Sequence, residues 1–378
     1  MTIDVSLTEE QELIQNSARD FFARECPPAA VRRAEAAAED FPRAVWQQMA
    51  DLGWLGMSFA EEYGGAGCSV LDLLPLYTEL GRHIAPVPLL DAVGLAGALI
   101  DAAGSAEQNK RILPGIASGE LLAVCAHMEP EGVYGPRGIT LAAKKRGNDY
   151  VLQGTKLLVP CAQAANLFIV AARTSGTREA EGISLFLLDP KAKGVTAERT
   201  QTMTGEKLYA LSFNDAAVPA SSLLGAAGQG WPALDQALMR ASILQSAVVV
   251  GAGERVLDMT AEYARNRVQF GKAIGSYQAV QYLVTDIAIA VHLARLLNIQ
   301  AAWCHASGRP WLREAALGKA AACKAAVAMI EGGHETHAGI GFMLDYDLQL
   351  YTRRAKHWEW NLGDRHYHLE RSLVEAGI

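Results

Sequence analysis

The spacing of apolar and polar positions divides the chain into three parts. Residues 1–119 show the helical period, in which apolar residues recur every three or four positions. A capping box at Ser105–Gln108 opens the last of these helices, which is predicted to close near 115–119. Residues 120–228 change to short apolar or alternating runs separated by Gly, Asn, Asp and Pro, which is the pattern of β-strands. The predicted strands occupy 121–125, 150–154, 167–172, 183–188 and 208–213.

Long helical patterns return after residue 229, at 231–266, 276–306, 311–336, 343–360 and 364–376. The sequence therefore predicts an α+β, mainly α protein. Its parts are an N-terminal helical domain (1–119), a middle β-barrel-like domain (120–228) and a C-terminal four-helix bundle (229–378). Apolar residues crowd the segment from Ile243 to Val250. This indicates packing against another subunit, with a thick core inside the chain as the alternative.

Composition limits the possible functions. The 378 residues are 50% hydrophobic and carry a net charge of -7, with no strong block of one sign. Neither nucleic acid nor an anionic membrane is an expected partner. The apolar runs fall short of a membrane span, and the first residues lack the pattern of a signal peptide. Six cysteines without a CxxC pair indicate reduced thiols in a cytoplasmic protein.

The stretch from Tyr263 to Gln281 carries the clearest candidate chemistry. Its pattern predicts a long helix reaching Arg267, a left-handed C-cap at Gly271 and a second helix from about Ser276. An Arg, a Gln and a Phe would then meet at one corner, where they could bind a phosphate and stack on an adenine. A helical hairpin with exposed basic residues is the alternative.

Three segments resemble signatures of one family. The stretch Tyr263–Gln281 resembles the "YAxxRxQFGxxIxxxQxVQ" pattern of acyl-CoA dehydrogenases. Residues 337–342, continuing through 345–356, are similar to "QxHGGxGF…EYdLxLyxRrAK", and Glu61–Gly65 is similar to "PEEYGG". The chain is therefore identified as a member of that family. The resemblance implies an acyl-CoA dehydrogenase-like fold, FAD as cofactor, an acyl-CoA thioester as substrate and electron-transfer flavoprotein as acceptor.

The resemblance also implies how FAD is bound. The ADP half of an FAD held mainly by the neighbouring subunit is assigned to Arg267, Gln269, Phe270, Tyr277, Gln278, Glu335, Thr336, His337, Ala338 and Gly339. Two of these depart from the family pattern, which has Gln at Glu335 and Gly at Ala338. A carboxylate would repel a pyrophosphate, so Glu335 is expected to hold a ribose hydroxyl or turn away. Ordinary polar residues at a helix end are the alternative for Glu335 and His337.

By the same resemblance, the residues that contact the flavin ring and the residue that acts as catalytic base in the family are replaced in this chain. The family's hydroxyls and Trp beside the isoalloxazine are replaced by Met128, Leu158 and Pro160. The two positions where members keep a catalytic Glu hold Leu362 and Ala241. No catalytic residue is assigned.

Other charged residues lie close to these positions in the sequence. Arg240 lies near the place of an Arg that reaches the CoA phosphates in the family. The nearby acids Glu359, Asp364 and Asp235 are interpreted as solvated or capping residues rather than displaced bases.

Three functions remain open. In the first, the chain is a non-catalytic subunit of a heteromeric oxidoreductase, as in α2β2 bacterial acyl-CoA dehydrogenases that act on thioesters of steroid-like compounds. In the second, it is a self-sufficient homotetramer with a relocated base. In the third, it is a non-enzymatic scaffold or acyl-CoA-binding protein, because a fold does not fix a function.

Overall fold

The N-terminal part is helical in this computed structural model, which describes residues 5–176 and 178–378. Ser105 and Gln108 form the predicted capping box at the start of the last N-terminal helix. A π-helical segment, Leu90–Gly97, runs directly into α5. The helices are α1 (Glu9–Glu25), α2 (Pro28–Ala36), α3 (Arg43–Asp51), α4 (Val70–Arg82), α5 (Ala98–Ala103) and α6 (Ala106–Ala117).

The middle part is a mixed β-sheet. Its strands are β1 (Ala123–Ala126), β2 (Ala142–Arg146), β3 (Asp149–Pro160), β4 (Leu167–Arg173), β5 (Ile183–Leu188), β6 (Val195–Thr200), β7 (Leu208–Val218) and β8 (Leu223–Leu224). The path runs β6-β7-β3-β2-β4-β5-β8, and β1 pairs with β4. The pairs β1–β4 and β2–β4 are parallel and the others are antiparallel. Two register shifts between β3 and β7 mark bulges, which bend a strand pair.

The predicted strands are all present, and three further strands of this sheet, as described, were missed. Strand β2 carries Lys144, Lys145 and Arg146, and the middle of β6 is exposed to solvent. Strand β8 has only two residues. None of the three has the apolar pattern by which a strand is recognised in sequence, and pairing with neighbouring strands is what defines them.

The C-terminal part consists of long helices. They are α7 (Trp231–Asn266), α8 (Gln278–Ala306), α9 (Leu312–His337), α10 (Leu348–Trp360) and α11 (Arg365–Glu375). The bounds agree closely with the predicted ones except for α10. Residues 343–347 were expected to be helical but precede that helix, after a 3-10 turn at Ala338–Phe342.

Helix α7 forms the centre of the molecule. It packs against α4, α8, α9 and the π-helical segment, and its side chains from Ile243 to Val250 are all buried within the chain. The prediction that this segment packs against another subunit is therefore wrong. At the crossing with α4, a Cβ on Gly251 would lie 1.8 Å from the carbonyl oxygen of Thr78, and one on Gly81 would lie 1.9 Å from that of Val248. Glycine at both positions lets the two backbones touch.

Helix α8 presents an apolar face to solvent instead. The face, called here the α8 face, consists of Tyr282, Ile289, Leu293 and Leu296, which are all exposed. By length and composition alone, α8 could also cross a membrane, which the sequence analysis overlooked. About 28% of its most apolar window is buried in the chain. An exposed apolar face of this kind is typical of an interaction surface.

Candidate cofactor and substrate site

The end of α7 differs from its predicted form. The helix ends at Asn266, and residues 268–273 form a β-hairpin in which β9 (Val268–Gln269) pairs with β10 (Lys272–Ala273). Phe270 and Gly271 make its two-residue turn, with φ of 54° and 82°. Gly271 is therefore a hairpin-turn residue and not a helix C-cap. The second helix starts at Gln278, after a 3-10 turn at Ile274–Ser276.

Phe270 combines an unfavourable backbone with an exposed ring. A positive φ at both turn positions favours Asn-Gly or Gly-Gly, and an aromatic residue there is strained. The Phe270 side chain is nevertheless 93% exposed, and its ring contact is with the edge of Tyr277 at 6.4 Å. Packing within the chain does not explain this residue. Strain of this kind is typical of a ligand contact.

The neighbouring groups form a small platform. The Tyr277 hydroxyl donates a hydrogen bond to the Gln269 carbonyl oxygen at 3.2 Å, and the Lys272 ammonium lies 4.2 Å from the Tyr277 ring centroid. Arg267 is exposed, and its guanidinium makes no ion pair or hydrogen bond within residues 5–176 and 178–378. Gln278 is also exposed. The predicted residues of this hairpin and helix start thus lie together on one surface.

The C-terminal end of α9 adjoins that surface. The His337 ring stacks on Tyr263, one turn before Arg267, with centroids 4.4 Å apart. Glu335, Ala338 and Gly339 are exposed. Ala338 has φ of 53°, which glycine would adopt without strain. A Cβ on Gly339 would meet no atom within 4 Å, so the backbone there is open to a ligand.

Thr336 and His337 were assigned to the ADP site, and both are buried. Burial, together with a smaller effect of the nearby His334, lowers the pKa of His337 to about 4. His337 is thus neutral at pH 7, and its ring packs against the face of Tyr263. Neither His337 ring nitrogen nor the Thr336 hydroxyl has a hydrogen-bond partner among the described residues.

The main cavity has a volume of about 340 Å³ and is lined by residues of all three parts of the chain. Met128, Leu158, Pro160 and Leu362, which the sequence analysis singled out, lie on its wall. Leu158 and Leu362 both have positive φ. Ala241 is buried in α7 and does not line this cavity.

The charged groups considered as catalytic candidates are engaged elsewhere. Glu359 forms an ion pair with Lys356 at 2.7 Å, and Asp235 forms one with Arg371 at 2.6 Å. Asp364 caps α11 by accepting a hydrogen bond from the Tyr367 backbone N–H at 2.8 Å. All three acids thus make structural contacts. Arg240 donates to the Gly94 carbonyl oxygen at 3.0 Å and so holds the π-helical segment.

Two cavity residues were missed by sequence reasoning. Asp91 lies in the first turn of the π-helical segment, and Gln245 lies on α7. Burial, together with the charge of Glu206, raises the pKa of Asp91 to about 7. The signal in the sequence was a polar side chain within a largely apolar segment, which is rare in cores.

Comparisons with known proteins identify the family. The acyl-CoA dehydrogenase N-terminal, middle and C-terminal domain families match residues 8–120, 125–216 and 228–373. The chain therefore belongs to the acyl-CoA dehydrogenase family. It is 29% identical over 359 residues to the short-chain specific acyl-CoA dehydrogenase of Clostridium acetobutylicum, covering 94% of both chains.

Two solved structures are similar over their whole length. The ChsE4-ChsE5 complex from Mycobacterium tuberculosis matches with a TM-score of 0.90 and 29% identity, over 99% of both chains. Butyryl-CoA dehydrogenase from Megasphaera elsdenii matches with a TM-score of 0.91 and 26% identity, over 100% of both chains. The predicted fold class and family are thus confirmed.

Members of this family are FAD flavoproteins, and the two halves of such a cofactor fit this chain unequally. At the ADP end, the exposed Phe270 ring suits stacking on an adenine, and the Arg267 guanidinium suits a pyrophosphate. The open backbone at Gly339 allows the cofactor to approach closely. At the ring end, Met128, Leu158 and Pro160 offer no side-chain hydrogen-bond donor. Pro160 also has no backbone N–H. The chain fits the ADP half of FAD and fits the isoalloxazine poorly.

Proposed function

We propose that this chain is a subunit of a heteromeric, FAD-dependent acyl-CoA dehydrogenase and contributes the ADP half of the FAD site. The observation that carries the proposal is the absence of a carboxylate at both family positions, Leu362 and Ala241. Removal of an α-proton from a thioester needs a base within hydrogen-bond reach. The acids nearest to those positions in the sequence are held in ion pairs or a helix cap. A partner subunit would therefore supply the base.

The hairpin at the end of α7 supports the second part of the proposal. A guanidinium can donate two parallel hydrogen bonds to a pyrophosphate, and Arg267 is free among the described residues to do so. Phe270 projects beside it and would pack on the adenine or ribose. FAD, when bound, accepts the hydride from the β carbon. This chain would bind the ADP end of FAD, while the isoalloxazine ring would lie in the partner subunit.

The expected partner is a second acyl-CoA dehydrogenase-like chain. The similarity to a subunit of the ChsE4-ChsE5 complex supports a heteromeric assembly. The α8 face gives the chain an exposed apolar surface on the bundle, as an assembly requires. The acceptor of the electrons would be electron-transfer flavoprotein, and the substrate an acyl-CoA thioester whose acyl group the fold leaves open.

A self-sufficient enzyme is the second candidate, and Asp91 is the observation that favours it. A carboxyl group whose pKa is about 7 has the strength of a general base, and this one lines the main cavity. A relocated base would then replace the missing Glu. Turnover of an acyl-CoA by the isolated chain, and its loss in Asp91→Asn, would separate this candidate from the first.

Titration of FAD into the apo complex of this chain with its partner tests the proposal. Replacing Arg267 by Ala removes a charge-assisted contact worth roughly 1.5–3 kcal/mol, so FAD affinity should fall by about one to two orders of magnitude. Arg265→Ala is the matched control, because Arg265 is an exposed cation on the same helix end. Equal FAD affinities for wild type and Arg267→Ala would refute the ADP-site role and favour a non-enzymatic scaffold.

A further inference from the structure

Gln245 is a buried polar side chain that the fold does not satisfy. It lies in the middle of α7, is 0% exposed and lines the main cavity. Neither its amide oxygen nor its amide nitrogen has a hydrogen-bond partner in the part of the chain that the structure describes. Leaving a buried amide unpaired costs about 1–3 kcal/mol. An apolar residue of similar size would fill the same space without that cost.

Two further polar groups lie on the wall of the same cavity. Asp91 has a pKa raised to about 7, first by burial and then by the charge of Glu206, so its carboxyl can donate or accept a hydrogen bond near neutral pH. His127 has a buried Nδ1 without a partner in residues 5–176 and 178–378. Burial lowers the pKa of His127 to about 4, so its ring is neutral. Gln245, Asp91 and His127 thus come from three different parts of the chain and line one cavity, and two of them carry buried polar atoms without a partner among the described residues.

The rest of this wall is largely apolar. Leu80, Ile84, Leu95 and Val248 line the cavity together with Gln245 and Asp91. Apolar ligand pockets commonly carry a few such polar groups, which fix the orientation of the ligand and select it. A plain alkyl chain in this cavity would leave the Gln245 amide unpaired, whereas a ligand with a hydroxyl or carbonyl group would pair it.

We propose that Gln245 and Asp91 form a polar subsite that selects acyl-CoA thioesters whose acyl group carries a hydroxyl or carbonyl group. A substrate hydroxyl would donate to the Gln245 amide oxygen and accept from the Gln245 amide nitrogen or the Asp91 carboxyl. The inference rests on the proposed function, because it takes the ligand to be an acyl-CoA. It goes further by naming the chemistry of the acyl group.

Calorimetric titration of the full chain with matched CoA thioesters tests the subsite. The probes are hexanoyl-, octanoyl- and decanoyl-CoA, each with and without an ω-hydroxyl group. For at least one pair, the wild type should bind the hydroxylated member about tenfold more tightly, as expected for a satisfied buried amide. Gln245→Met should abolish that preference by weakening the hydroxylated member alone. Gln236→Met, an exposed position on the same helix, should keep it.

The outcomes separate the subsite from the proposed function. A wild type that binds thioesters without preference for a hydroxyl, or that binds none, overturns the subsite, whereas the FAD titration of the complex decides the proposed function. Thermal unfolding without ligand serves as the folding check, because Gln245→Met removes two unsatisfied polar atoms and should not lower the melting temperature. Asp91→Val gives a second, independent loss of preference. A preference that survives in both variants refutes the proposal.

Discussion

The Lys156 ammonium lies 2.6 Å from a carboxylate oxygen of Glu129, and both side chains are buried. The same carboxylate accepts hydrogen bonds from the backbone N–H groups of Thr140 and Leu141, at 2.9 and 3.0 Å. Glu129 therefore links the segment beside the cavity to β3, through Lys156, and to the two residues just before β2. It directly follows Met128, one of the residues that replace the family's flavin-contacting groups, yet its polar atoms are used within the chain.

Breaking this ion pair should destabilise the protein strongly. Glu129→Ala leaves Lys156 as an uncompensated buried charge, which costs about 3–5 kcal/mol of unfolding free energy. The double variant Glu129→Leu with Lys156→Met removes both charges and should recover much of that loss. Chemical denaturation of the single and double variants measures it. The coupling would be contradicted if the double variant lost as much unfolding free energy as Glu129→Leu and Lys156→Met lose together when each is made alone.

Phe270→Asn should separate stability from cofactor binding. Asn adopts positive φ more readily than Phe, so the hairpin turn should be unchanged or more stable. The variant loses the exposed ring, so FAD affinity of the complex should fall several-fold. Thermal unfolding of the chain and FAD titration of the complex give the two readouts. Unchanged FAD affinity would mean that the ring does not contact the cofactor.

His337 should make the protein sensitive to acid. Its folded pKa of about 4 lies below the ordinary value of 6.5, because burial disfavours the charged ring. The unfolded chain therefore binds more protons between these values, and the unfolding free energy should fall as pH drops from about 6.5 to 4. Asp91, with its raised pKa, acts in the opposite direction.

His337→Phe keeps a ring against Tyr263 and removes this titration. The variant should lose less stability than wild type over the same pH range, measured by denaturation at each pH. The difference between the two curves isolates His337 from the other buried histidines. Parallel curves for the two proteins would show that His337 does not contribute.

The α8 face should hold the assembly together. Ile289→Asp places a charge on a surface that would be buried between subunits, and it should lower the oligomeric state seen by sedimentation velocity. Leu13→Asp is the control, because Leu13 is an exposed apolar residue on α1. If Ile289→Asp sediments like wild type, the interface lies elsewhere.

The isolated chain should turn over acyl-CoA very slowly. Without a general base the rate is expected to be on the order of 10² to 10⁴ lower than that of the complex. The assay follows reduction of an artificial electron acceptor by the chain supplied with FAD. Substantial turnover that Asp91→Asn abolishes would instead support the self-sufficient enzyme.

Local features of the fold followed from the sequence alone. The start of α7 at Trp231 was predicted correctly, and the capping box at Ser105 was identified. Helix period and caps depend on residues within one turn, so the chain displays them directly. The family and its FAD also followed from motifs that are short and contiguous.

Tertiary structure decided the rest, because burial and pairing depend on residues far apart in the chain. It placed the apolar segment of α7 in the core and left the α8 face exposed. It turned Gly271 into a hairpin residue, because β9 and β10 pair there. Above all, it brought Gln245 and Asp91 to one cavity. In the sequence each is a polar residue in a largely apolar segment, and only packing shows that the Gln245 amide has no partner among the described residues.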